Sequence, residues 1–159
     1  MGEIANYNIY FGAAGWQHIH WQTRFYPSDL PEEWQLSYYN TQFRCVYLPY
    51  PLWVNRSLDV AESWLADTQT NFRFILEVPD SLSQQSIQFL EAMNERMITN
   101  GAESIKTQLY RFPPEPDLRL LGRMIQNAVD QGRDLYLFNL EAHLPSLEKV
   151  RSLVEVMGY

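Results

Sequence analysis

The tightest constraint in this sequence is a set of short, β-rich runs that are apolar on both alternating faces and are separated by stretches of helical periodicity. Phe72–Val78 (FRFILEV) and Asp134–Leu140 (DLYLFNL) show it best. A strand with two apolar faces has to be covered on both sides, which favours a parallel sheet with crossover helices. Tyr7–Gly12, Arg44–Leu48 and a run from about Ser104 to Tyr110 bring the expected strands to five.

The segments between them have helix signals. Pro31 suits a first turn, and Glu32 and Glu33 suit the positive end of the helix dipole. Leu58, Ala61 and Leu65 form the next stripe, with Asn55 or Ser57 as its cap. Ser83 is placed to cap a third helix with a stripe of Ile87, Leu90 and Met97. Leu118, Leu121, Ile125, Ala128 and Val129 line a fourth, which Gly132 ends. Leu147, Val150, Val154 and Met157 line a last helix after Pro145. PPEP at 113–116 is a strand-to-helix loop, so residues 1–159 are expected to form one domain.

Composition removes several functions. With 46% apolar and 19% charged residues the chain is an ordinary globular sequence. A net charge of −7 and only 12 scattered basic residues argue against a nucleic-acid partner, which needs clustered Lys and Arg. The single cysteine, Cys45, excludes an internal disulfide and a Cys-rich metal site; in FRCVYL it is expected to be a small buried hydrophobe. No apolar run approaches the ~18 residues of a membrane span, and a cytoplasmic location without membrane contact is expected.

GAAGWQHIHWQTRFYPSDLP, residues 12–31, resembles the opening of the YecE-like family (domain of unknown function 72). That family has a strand followed by G-x-x-G-W, a spacer, a Trp, F-Y-P and a Leu-Pro helix start. Gly12, Gly15, Trp16, Trp21, Phe25-Tyr26-Pro27 and Leu30-Pro31 supply these elements in order. YYNTQFRCVYLPYPLW, NFRFILEVPDS and LYRFPPEPDLRLL are similar to later family segments. The resemblance implies an α/β fold of parallel β/α units. It corresponds to an incomplete TIM-type barrel of about five strands, helices outside, from a shortened and diverged member. Where the family has Glu-x-Asn at the end of its second strand, this chain has Tyr47 and Pro49; Glu77 replaces a Lys on the third. On the fifth strand, Asn139, Leu140 and Glu141, with a displaced Ala142-His143, replace Glu-Phe-Arg-His. The implied scaffold is thus kept while most of its strand-end polar set is lost.

Five consecutive strands form an open arc whose inner face and edges need cover. A second copy of the chain or a protein partner is expected to supply it, because an exposed apolar arc invites aggregation.

The chemistry-bearing residues gather at the strand ends, where barrels keep their sites. Trp16, His20, Trp21, Arg24, Tyr26, Tyr47, Tyr50 and Trp53 are the candidate ligand-binding set, either lining an aromatic pocket or plugging the top of the arc. Glu77, Glu141 and His143 are the candidate acid–base groups, although the leading expectation for the two carboxylates is a solvated rim or a pairing with Arg24 or Arg111. His18, His20 and His143 could ligate a metal; the expectation is that they do not, since the spacer between Trp16 and Trp21 is irregular. With no phosphate loop and no dinucleotide glycine fingerprint, no cofactor is expected. The leading expectation is a non-catalytic domain acting by association. The rival is a metal-assisted hydrolase or phosphodiesterase-type barrel enzyme.

Overall fold

The structure, a computed structural model, describes residues 9–103 and 106–159. The described residues form six strands and five α-helices, in the order β1 Ile9–Ala13, α1 Gln35–Gln42, β2 Cys45–Leu48, α2 Leu58–Ala66, β3 Arg73–Leu76, α3 Gln84–Met93, β4 Met97–Thr99, β5 Thr107–Arg111, α4 Leu118–Gln131, β6 Asp134–Asn139 and α5 Leu144–Val156. Tyr7 and Asn8 of the expected first strand, and Ser104 and Ile105 of the expected fourth, lie outside the described residues.

All pairings are parallel, in two three-stranded sheets ordered β1-β6-β5 and β2-β3-β4. Backbone bonds from Arg44 N to Phe11 O (3.0 Å) and from Gly15 N to Tyr47 O (2.8 Å) bring β2 alongside β1. The order differs from a simple arc, because β6 lies against β1. The two edges are therefore β4 and β5 in mid-chain.

Alternate residues on the strands divide into two clusters, as the pleat requires. Ile9, Phe11, Val46, Phe74, Leu135 and Leu137 pack under the helices. Tyr10, Ala14, Cys45, Tyr47, Ile75, Tyr136 and Phe138 pack together on the opposite, inner face. Two ring stacks fill that face: Tyr10 on Tyr136 (centroids 4.3 Å apart) and Tyr47 on Phe138 (4.9 Å). None of these seven inner residues is more than 8% exposed. These seven residues thus bury one another, with Ile98, Leu109 and Leu140 packed half-buried around them. Cys45 is a buried free thiol whose pKa burial pushes up, as expected of a core hydrophobe.

Several sequence expectations need correction. Met97 is not on the third helix; it opens β4, a strand that periodicity did not reveal. Ser83 does cap α3, its hydroxyl accepting from Ser86 N at 3.1 Å. The buried positions of α3 are Ser86, Phe89 and Met93, while Ile87 is exposed. On α2 only Ala61 is buried, and Leu58 is 47% exposed. α4 and α5 follow their predicted stripes more closely, with Leu121, Ile125 and Ala128, and with Leu147, Val150 and Val154, buried. Gly132 closes α4 at φ 64°, a left-handed conformation that glycine adopts without a Cβ penalty.

Candidate functional site

The strand-end residues sit on four loops. In the loop after β1, Trp21 is fully buried and donates its indole N–H to Ala142 O at 3.1 Å, tying this loop to the one after β6. Tyr26 donates to Trp16 O at 2.5 Å, and burial raises its pKa. Trp53, after β2, is fully buried and donates to Glu77 O at 3.0 Å. Trp21, Tyr26 and Trp53 therefore pack within the strand-end loops, while Trp16, also largely buried, presents an edge to a cleft. Tyr50 is half-buried, its ring edge-on to Trp53.

Glu77 stands just past β3. Its carboxylate accepts from Tyr50 N at 2.9 Å and from Tyr47 Oη at 3.2 Å, clamping the loop after β2. Burial, then the charge of Glu77, pushes the Tyr47 phenol up to about 12. A raised tyrosine pKa favours the fold while the group is protonated in both states. That contribution falls as pH rises from the ordinary value of 10.0 through about 12. Glu77→Gln removes the charge and keeps an acceptor, so the Tyr47 pKa should move down toward 10.0, read from its ring-carbon NMR shift against pH. An unchanged Tyr47 titration would remove Glu77 as a cause.

Glu141 pairs with Arg111 at 2.7 Å, as one sequence alternative had it, and the Arg111 hydrogen bond lowers its pKa. Asn139 is the hub here: its side chain donates to Phe112 O (3.0 Å) and Glu141 (3.1 Å) and accepts from His143 N (2.8 Å). Sequence reasoning noticed Asn139 only as a replaced position; a polar residue ending an apolar strand was the available signal. His143 Nδ1 lies 2.6 Å from Ser146 Oγ.

His18 and His20 have ring centroids 5.5 Å apart, but each is bound to a different carbonyl. His18 Nε2 donates to Ala14 O at 2.7 Å, and His20 Nε2 to Ala142 O at 3.3 Å. Among the described residues, no group of three or more His, Cys, Asp or Glu is arranged to hold a metal ion. None of their helices is long and apolar enough to cross a membrane.

Two clefts open at this end. One, of about 360 Å³, brings His20, Arg24, Glu141 and His143 together at the start of α5. The other, of about 300 Å³, is walled by Trp16, His18, Leu48, Leu52, Arg56 and Trp64. Trp64 and Arg56 were missed from sequence because they lie on and before α2, away from any strand end in the chain.

A family model described as protein of unknown function DUF72 matches residues 10–156. The chain belongs to the DUF72 family. The motif resemblance to YecE-like proteins thus identified its relatives correctly. A crystal structure of a DUF72 family protein from Thermotoga maritima is similar over 95% of this chain and 99% of that one, with 12% identity and a TM-score of 0.59. At that identity the likeness speaks to the DUF72 fold alone. No curated protein matches the chain.

Proposed function

We propose that this DUF72 domain is non-catalytic and acts by association through its open sheet edges, a second copy of the chain being the first partner to test. The observation that carries the reading is that the strand-end polar groups are already engaged. Glu77 holds a loop, Glu141 holds Arg111 and Asn139, and the three histidines each bond a carbonyl or a hydroxyl. A catalytic pair needs an acid or base left free to face substrate.

The edges supply the contact. We read the strand order as a contracted, incomplete (β/α) barrel, split between β4 and β5. Among the described residues each of these strands pairs on one side only, and all their residues but Arg111 are half-buried. Unpaired strand edges are templates for another chain. Light scattering should therefore give a dimer mass. Thr107→Pro, which removes a backbone donor facing away from β6 on the β5 edge, should give a monomer with unchanged circular dichroism. A wild-type chain that stays monomeric at every concentration sinks the self-association reading; a protein partner is then the remaining form of it.

The second reading, a metal-assisted hydrolase or phosphodiesterase-type barrel enzyme, draws on the meeting of His20, Arg24, Glu141 and His143 in one cleft. One metal ion per chain in the same sample would favour it over association.

A further inference from the structure

The cleft beside Trp64 has a chemistry of its own. Its floor is Leu48, buried at the end of β2, and Leu52 flanks it with 40% of its surface exposed. Trp16 and Trp64 meet edge to face at 5.1 Å and form an aromatic wall. An apolar hollow of about 300 Å³ lies at the small end of the range for small-molecule sites, roughly 300–1,000 Å³.

One charge lines it. Arg56 donates Nε to Leu52 O at 3.1 Å, which fixes the guanidinium at the rim, and its two terminal nitrogens have no partner among the described residues. His18 adds no second cation: its Nε2 is committed to Ala14 O, and burial holds its pKa below the usual histidine value. Glu32, Glu33 and Asp67 line a neighbouring groove that shares Trp16, Gln17 and Trp64 with this one, and none of the three lines the cleft itself.

From this arrangement we infer that the cleft binds a small, apolar carboxylic acid. The hydrocarbon or aromatic body lies against Trp16, Trp64, Leu48 and Leu52, and the carboxylate is held by the terminal nitrogens of Arg56. A guanidinium fork matches a carboxylate in two parallel hydrogen bonds, stronger than bonds to a neutral amide. The apolar wall selects against hydrated, sugar-like anions, which would lose water without replacement partners. The site does not depend on the association reading, since neither β4 nor β5 contributes to it.

The test is an NMR titration of the whole chain with phenylacetate and, separately, with phenylacetamide, following the indole N–H signals of Trp16 and Trp64. Saturable shifts of both signals with phenylacetate are expected, the amide binding roughly tenfold or more weakly. Arg56→Gln, at an exposed position, should bring acid and amide to equal affinity. Trp64→Leu should weaken both. Absence of saturable shifts, equal binding of acid and amide by the wild type, or a preference that survives in Arg56→Gln would each overturn the assignment. The mass of the same samples, by light scattering, keeps this outcome separate from that of the association reading.

Discussion

Gly12→Ala is expected to destabilise the domain severely, whereas Gly122→Ala, the same chemical change, should stabilise it. A Cβ built on Gly12 would stand 1.7 Å from Cys45 O and 2.6 Å from the Tyr39 hydroxyl. The first obstacle is backbone of the neighbouring strand and cannot swing aside, so β1 and β2 would have to part. Both strands are fully buried, with helices packed on one side and stacked rings on the other. Close-packed interiors yield to such an insertion only by moving whole elements. A loss of about 4–5 kcal/mol or more follows, a value reserved for severe lesions. Domain stabilities are of order 5–15 kcal/mol, so a large share of the total is lost. At Gly122, inside α4, an added Cβ meets nothing within 4 Å. There the gain is the helix propensity of alanine over glycine, about 1 kcal/mol, or about 2–4 °C in Tm. Thermal unfolding followed by circular dichroism reads both. A folded Gly12→Ala variant with near-native Tm would refute the close approach of the two strands.

This glycine also shows where sequence reasoning stopped. Gly12 was legible as a motif position, the first Gly of G-x-x-G-W. Its reason was not, because the carbonyl it must admit belongs to Cys45, more than thirty positions along the chain. The α/β class and the parallel pairing were legible for a local cause. Strands such as FRFILEV and DLYLFNL are apolar on both faces, and that pattern needs no knowledge of neighbours. β4 was not, since three half-buried residues after a short 3-10 turn carry too little periodicity to register. The order of the strands was also hidden. Alternation predicts crossovers but not that β6 returns to β1, which depends on rings in distant strands stacking across the inner face.

The candidate site divides along the same line. Residue types at strand ends could be listed from sequence, and Glu77, Glu141, His18, His20 and His143 do lie there. Their commitments could not be listed, because each partner is a backbone carbonyl, a backbone N–H or a side chain that only the loop geometry brings near. Trp21 and His20 both donate to Ala142 O, which belongs to a residue at φ 52°. Nothing in the string Glu141-Ala142-His143 announces that turn, since alanine rarely adopts it.

The second large effect concerns the junction that Gly12 makes possible. Along β1 and β2, Arg44 N bonds Phe11 O and, further on, Gly15 N bonds Tyr47 O. In the register of the Gly15 bond a parallel ladder would place a bond from Ala13 N to Cys45 O, one residue out of step with the Arg44 bond. The Tyr39 hydroxyl stands in that gap instead, accepting from Ala13 N at 2.7 Å and donating to Cys45 O at 2.6 Å. One phenol from α1 thus replaces a rung of the sheet. Tyr39 is fully buried, and burial raises its pKa well above the usual tyrosine value, which keeps the donor proton in place at any physiological pH. Tyr39→Phe removes both bonds while the ring edge still holds the strands apart, so Ala13 N–H and Cys45 C=O are left buried and unpaired. Each orphaned group costs about 1–3 kcal/mol, for a loss of about 2–6 kcal/mol in all. Denaturant unfolding should show that loss, and hydrogen exchange should show the Ala13 amide exchanging faster than its neighbours in β1. If the strands instead closed to form the direct bond, stability would fall by under about 1 kcal/mol and Ala13 would stay protected. The hydroxyl would then be a replaceable spacer, and the division of the strands into two sheets would follow from tyrosine's presence at position 39 alone.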